Sequence, residues 1–256
     1  MALLQELEKQ GNWLFRYRSY LPIVLLPFEL LVLYYQMRSV GALFYDSLFV
    51  KALSNWHSYT FICLLVGLLG LAIRVFTVGH TPANTSGRNT AQGQVADEIN
   101  KTGIYSMVRH PLYLGNYFMW LAIAMMTVSP LFVIAFSLAY WVYYERIMVA
   151  EEQFLSRKFG TEYTDWANIT PAFIPKLSAY TKPKYPFSWR KVAKKEKNGL
   201  LALCLLLLLM SLVVTRTFQG LIGTDWLMVS LTIASAIAYV VLKVLKKKRL
   251  LDEPGR

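Results

Sequence analysis

The chain has 256 residues, 55% of them hydrophobic and only 16% charged, with a mean hydropathy of +0.38. That balance excludes an ordinary soluble globular domain, in which about a quarter of residues are charged. The formal net charge of +12 is concentrated beside apolar runs, which favours anionic lipid heads as a partner and argues against nucleic acid.

At the N-terminus, Met1 to Gly11 carries acids and a lysine with no adjacent apolar core, so no cleavable leader is expected. The first apolar span is Tyr20 to Met37, interrupted by Pro22 and Pro27. A semi-apolar stretch, Arg38 to His57, reads as interfacial or re-entrant, and the second span is Tyr59 to Val78. The third and fourth spans, Leu112 to Val128 and Leu131 to Met148, are parted only by Ser129 and Pro130, which reads as a tight helical hairpin. The fifth is Gly199 to Thr215 and the sixth Asp225 to Leu242. Each approaches the roughly 20 residues that cross the hydrocarbon layer. The expected fold is therefore an all-α integral membrane bundle of about six transmembrane helices. Its expected divisions are N-terminal spans in 1–78, a core in 79–176, and a basic linker, two spans and a basic tail in 177–256.

Six spans place both termini on one side. Arg16, Arg18, the segments 79–110 and 157–197, and the tail Lys243 to Arg249 would share it, leaving Arg38, Lys51 and Arg216 opposite. This asymmetry makes the first side cytosolic. Cys63 and Cys204 lie inside apolar runs and have no metal-ligand spacing, so they read as buried small side chains and no metal is expected. Glu29, in mid-span, is a functional candidate because an intramembrane acid is costly, and Arg74 is a possible ion-pair partner.

Two polar regions, 79–110 and 145–175, flank the predicted hairpin, which brings them together on the cytosolic side. In the first, Pro111 suits the opening turn of a helix, so Arg109 and His110 fall where free amides and the positive dipole end favour an anionic group such as the carboxylate of an amino-acid-like cofactor. Tyr113, Asn116, Tyr117 and Trp120 follow at helical spacing, although single Arg, Tyr and Trp residues equally suit a bilayer interface. In the second, Met148, Glu151, Leu155 and Phe159 share an apolar stripe, while Glu145, Val149, Glu152 and Ser156 share a polar one. Glu151 is thus an acid on a face expected to be buried and in need of a partner. Glu152 reads as solvated, and Gly160 as the helix stop.

These motifs resemble the isoprenylcysteine carboxyl methyltransferases and the related phospholipid N-methyltransferases. The matching residues are Gly103 and Tyr105, then Arg109 to Gly115, then Glu151, Glu152, Leu155, Phe159, Gly160 and Tyr163, and finally Pro171 and Pro175. The resemblance implies a cytosolic-side pocket for S-adenosylmethionine and a membrane lipid or lipidated methyl acceptor. It implies cofactor contacts at Asp97, Glu98, Ile99, Asn100, Tyr105, His110, Pro111, Leu112, Tyr113 and Glu151. A family glutamine upstream has Gln92 or Gln94 as its counterpart, or is replaced by Thr90. Candidate catalytic residues are Arg109, Arg146 and Glu151. Members acting on a carboxylate carry an arginine four residues before the cofactor glutamate. Here Ile147 holds that position and Arg146 precedes it, about 100 degrees away around a helix.

Methyl transfer from a sulfonium needs donor and acceptor held in line and water excluded. A hydroxyl acceptor would also need a base, for which Glu151, Glu98 and His110 are candidates. Two other classes fit the composition. One is an NADPH-dependent membrane reductase of similar helical arrangement. The other is a non-catalytic membrane protein whose tail, Lys246 to Arg249, binds anionic phospholipid.

Overall fold

The computed structural model describes residues 2–18, 21–39, 52–82, 94–217 and 223–255. Most of the stretch read as interfacial or re-entrant, together with Thr90 and Gln92, lies outside them. Eight α-helices form among the described residues: α1 Ala2–Tyr17, α2 Leu25–Ser39, α3 Trp56–Gly79, α4 Pro111–Met125, α5 Pro130–Phe159, α6 Thr161–Ile169, α7 Trp189–Thr217 and α8 Trp226–Lys247. No β-strand is among them, and one antiparallel bridge joins Gly103 to Thr181. Four helices, α3, α5, α7 and α8, are long and apolar enough to cross a membrane, and the chain is a multi-pass integral membrane protein. The apolar part of α2, Leu25–Tyr35, is shorter, and α4 has 15 residues.

The hairpin forms where Ser129 and Pro130 place it. Ser129 caps α5 by accepting from the Phe132 amide at 3.2 Å, and Pro130 occupies the opening turn, where its missing N–H removes no bond. α5 does not stop at Met148. Its 30 residues make it about 45 Å long, so one rigid rod carries the fourth span and the acidic stretch beyond it. Gly160 ends it at φ +55, a backbone state that favours glycine. α7 likewise starts at Trp189, ten residues before the expected Gly199, so part of the basic linker is helix continuous with the fifth span.

Without a solvent-driven hydrophobic force between membrane helices, close contact depends on small residues. Gly115 of α4 faces Gly70 of α3. A Cβ on Gly115 would stand 2.6 Å from Arg74 Cγ and 2.8 Å from the Gly70 carbonyl oxygen. α1, a helix that the reading of the N-terminus did not anticipate, lies along α5 with Gly11 pressed on the Arg146 carbonyl and Ala150. Arg157–Glu8 and Arg146–Gln10 bonds flank that contact.

α3, α4, α7 and α8 enclose one core around Trp56, Ile123, Met126, Leu207 and Met228. An aromatic core of Phe15, Phe136, Tyr140 and Tyr144 joins α1, α4 and α5. Inside the bundle, Trp56 Nε1 donates to Ser211, Thr60 to Asp225, and Thr232 to the Cys204 carbonyl. Outward faces stay apolar, as at Phe61, Leu65 and Leu69 of α3 or Leu131, Ile134 and Leu138 of α5. Arg74 does not pair with Glu29. It bonds Glu196 of α7 at 2.8 and 2.9 Å and Asn116 of α4 at 2.6 Å, while the fully buried Glu29 carboxylate has no hydrogen-bond partner among the described residues.

Overpacking a helix crossing costs about 1–3 kcal/mol. Gly115→Val should therefore lower the unfolding temperature in detergent, read by a thiol dye at the buried Cys63 and Cys204. Gly223→Ala, with no heavy atom near the added carbon, should leave it unchanged. Equal behaviour of the two variants would refute the close crossing.

Candidate functional site

The start of α4 is built as the Arg-His-Pro spacing predicts. Pro111 is the first helical residue, and His110 is the cap residue that accepts from the Tyr113 and Leu114 amides. The two preceding amides bond outside the helix: Arg109 N–H reaches the Pro171 carbonyl at 2.9 Å and His110 N–H the Ala172 carbonyl at 3.2 Å. Lys176 N–H returns to the Met107 carbonyl at 2.9 Å. Thr181 N–H binds Ser106 Oγ at 2.9 Å, and that hydroxyl donates to the Gly103 carbonyl at 2.7 Å. The segment after α6 thus laces the turn into place.

Side chains complete the arrangement. Glu152 accepts from Arg109 Nε at 2.8 Å and lies 2.8 Å from His110 Nε2. His110 Nδ1 faces Glu151 at 3.6 Å, and the Tyr113 hydroxyl donates to Glu151 at 2.8 Å. The Tyr113 ring stacks on His110 with 5.6 Å between centroids, and the Tyr140 hydroxyl donates to the Tyr113 carbonyl. Glu152 is therefore not simply solvated. It is the acid that joins α5 to the Arg-His-Pro turn, and the polar stripe assigned to it gave no sign of a partner on another helix. Arg109 Nη1 donates at 2.6 Å to both the Ala167 and Thr170 carbonyls, so this guanidinium fixes the C-terminal end of α6.

Above this network lies a cavity of about 430 Å³, within the range of small-molecule sites. Glu98, Ile99, Asn100, Tyr105, Arg109, His110, Pro111, Leu112, Tyr113 and Glu151 all line it. Asp97 and Arg146 do not. Asp97 is exposed, and Arg146 points along α5 toward α1, donating to Gln10 at 2.8 Å and the Val142 carbonyl at 2.6 Å. One residue of helix rotation is enough to take Arg146 off the cavity face. Gln94 lines the wall, while Gln92 and Thr90 lie outside the described residues. Sequence reasoning missed Glu196, Tyr163 and Trp166 as lining residues, along with an apolar wall from α7 that includes Ala202, Leu203 and Leu206.

Electrostatics follow the geometry. Burial opposes charging of the His110 ring, but the bonds and charges of Glu151 and Glu152 outweigh it and raise its pKa above the ordinary 6.5. The Tyr185 hydroxyl, 2.5 Å away, holds Glu98 below the usual carboxylate value against the effect of burial, and Lys184 at 3.1 Å adds to the lowering. Burial, with Glu152 nearby, raises Tyr163 and keeps its phenol protonated.

A raised histidine stabilises the fold fully below the unfolded-state value, near 6.5, and that contribution is lost as pH rises through the raised folded-state value. The unfolding temperature of the native chain should fall more steeply with rising pH above about 6.5 than that of His110→Gln. Parallel slopes for the two proteins would contradict the charged pairing of His110 with the two glutamates.

Residues 60–162 match the model of a family described as phospholipid methyltransferase. Over 119 residues the chain is 37% identical to the nickel-cobalt-cadmium resistance protein NccN of Alcaligenes xylosoxydans xylosoxydans, covering 46% of this chain and 52% of that protein. It is 33% identical over 129 residues to the cobalt-zinc-cadmium resistance protein CzcN of Cupriavidus metallidurans, covering 50% and 56%. It is also 33% identical over 114 residues to the protein-S-isoprenylcysteine O-methyltransferase of Saccharomyces cerevisiae, covering 44% and 47%. The chain spans about half the length of these curated relatives. No solved structure matches it. The stretch that builds the Arg-His-Pro turn, the hairpin and the two glutamates is the stretch the family model matches.

Proposed function

We propose that the chain is a membrane methyltransferase that uses S-adenosylmethionine and acts on a lipid or prenylated acceptor held in the bilayer. The observation that carries this reading is the Tyr113–Glu151–His110–Glu152–Arg109 network, of which Tyr113, Glu151, His110 and Arg109 line one cavity, formed within the family-matched segment. The names of the isoprenylcysteine O-methyltransferase relatives support the same reaction class.

The residues present fit such a cofactor. Glu151, Glu98, Arg109 and His110 offer both signs of charge, and the buried polar atoms Tyr163 Oη, Trp166 Nε1 and Gln94 Oε1 have no hydrogen-bond partner among the described residues. The cofactor, when bound, supplies an electrophilic methyl group on a sulfonium. The protein's part is orientation and exclusion of water, for which positioning alone can provide about 7–11 kcal/mol. Glu151 is oriented from two sides by Tyr113 and His110, so its carboxylate presents a fixed negative charge. For a hydroxyl acceptor, Glu151 is also placed to take the proton, and His110 to stabilise that carboxylate. Asp97 and Arg146 have no part in this site as we draw it.

In the bilayer, α2 and α4 join the four long helices to give about six spans. Basic segments 189–197 and 243–249 would then share the cytosolic side with both termini and the cavity. Lys194–Asp252 and Ser188–Glu253 contacts join the first segment and the residue before it to the chain just after the second, which supports a basic face toward anionic phospholipid. Ala202, Leu203 and Leu206 of α7 give the acceptor an apolar approach from between helices.

Purified protein should bind S-adenosylmethionine by equilibrium dialysis and transfer tritiated methyl to a species in total membrane lipid extract. Glu151→Gln should weaken binding about tenfold or more, the scale of a lost charged hydrogen bond. Binding of NADPH in place of S-adenosylmethionine would overturn the assignment in favour of a reductase.

A further inference from the structure

The C-terminal end of α1 reaches the cavity wall. Phe15 and Arg18 both line the hollow, although both lie outside the family-matched stretch. Packing on α5 brings them there. Gly11 lies against the Arg146 carbonyl, the Tyr143 hydroxyl donates to the Leu14 carbonyl at 3.3 Å, and Phe15 enters the aromatic core with Tyr113, Tyr140 and Tyr144. The partly buried Arg18 guanidinium then stands over the Phe15 ring, its carbon 3.7 Å from the centroid, and Nη1 donates to the Phe15 carbonyl at 2.7 Å. An arginine held by its flat face and by one edge keeps its direction. Its charge acts on Glu151, Tyr113 and Tyr144, which places it beside the acid of the site.

Three arginines line the cavity, and they differ in what holds them. Arg109 bonds Glu152 and the end of α6, and Arg74 bonds Glu196 and Asn116, so both fasten elements of the fold to one another. Arg18 is braced by Phe15, a turn earlier in its own helix. A guanidinium presents paired N–H donors that match the oxygens of a carboxylate or a phosphate. The proposed cofactor is a poor counter-ion for it, because its ammonium and sulfonium outnumber its one carboxylate. Glu151 already faces His110 and would then answer to Arg18 and that net positive charge together. A further anion entering with the second guest of the cavity balances the charge.

We propose that Arg18 is a specificity-determining residue that binds an anionic group, carboxylate or phosphate, of the methyl acceptor where α1 meets the cavity. This rests on the cavity being the site of methyl transfer, and adds the charge of the acceptor and the element that reads it. The contacts expected for the cofactor, from Asp97 to Glu151, lie within the family-matched stretch, whereas Arg18 lies outside it. That position fits a part that selects the acceptor.

The test measures equilibrium binding of two pairs of amphiphiles to protein in nanodiscs of neutral lipid, saturated with S-adenosylhomocysteine. The pairs are hexadecanoate with hexadecanamide, and hexadecyl phosphate with hexadecanol. Native protein should bind the anionic member of at least one pair about tenfold more tightly than the neutral one, the scale of a charged hydrogen bond, and the pair that shows it tells carboxylate from phosphate. Arg18→Gln, or Arg18→Met if an apolar stem is needed over the Phe15 ring, should abolish that preference while binding S-adenosylhomocysteine as the native chain does. Arg18→Lys, which keeps the charge but not the paired donors, should retain an intermediate preference. The proposal is overturned if the uncharged variants keep the native preference, the result expected of amphiphiles held at the basic tail. It is also overturned if native protein shows no preference in either pair, an outcome that needs no variant to fold. Loss of S-adenosylhomocysteine binding by about tenfold in Arg18→Gln, at an unchanged unfolding temperature, would assign the guanidinium to the cofactor's carboxylate and overturn it as well. Failure of native protein to bind S-adenosylhomocysteine at all would instead remove the site of methyl transfer, and the role of Arg18 with it.

Discussion

One carboxylate holds the site together. Glu152 receives Arg109 and His110 at once, and Arg109 extends the hold to the last carbonyls of α6. Through that acid, α5 is tied to the opening of α4 and, by way of Arg109, to the end of α6. Each tie alone joins one pair of elements, whereas the shared acid makes them interdependent. Without it, the partly buried Arg109 guanidinium would be left with no carboxylate and His110 with Glu151 alone, and a buried charge that has lost its partner is strongly destabilising. Glu151, one residue along, is then free of that structural duty and faces the cavity with two groups fixing its direction.

Much of this was legible in the residues. Pro111 and Pro130 mark helix starts because a missing N–H is harmless only there, and Gly160 marks a stop because its backbone torsion favours glycine. The apolar stripe containing Glu151 pointed to an acid in need of partners, and Tyr113 and His110 stand against it, although its side chain is 27% exposed and no more buried than that of Glu152 at 24%. It could not report what sits on the neighbouring helix. For that reason Glu152 read as solvated, and Arg74 was offered to Glu29 when it bonds Glu196, a residue 122 positions away. The same limit hid α1, whose Gly11 matters only because the Arg146 carbonyl stands against it. Spans were found by apolar content, so the polar start of α7 went unread as helix although the rod runs on through it, whereas the stripes beyond Met148 and Gly160 did mark the helical end of α5.

The Arg74–Glu196–Asn116 cluster shows how the long rods are used. Glu196 lies in the helical extension of α7 that precedes its apolar run, and it meets an arginine near the end of α3. A charged pair at this depth is tolerated because each partner is also held by a third group or by two bonds. Just beyond it, the buried Lys191 ammonium gathers the Thr81 and Pro82 carbonyls, and Phe187 covers Gly79. The end of α3 is therefore bolted to the start of α7 on the cavity's rim.

That bolt has an evolutionary consequence. The wall made by Ala202, Leu203 and Leu206 lies outside the family-matched stretch, yet it faces the same hollow as Glu151. Widening or narrowing that wall breaks none of the bonds that hold the two glutamates. Side chains on that wall can thus change to admit a new guest while the acids opposite stay untouched, so the shape of one end of the hollow and the charge of the other can drift at separate rates along a single polypeptide.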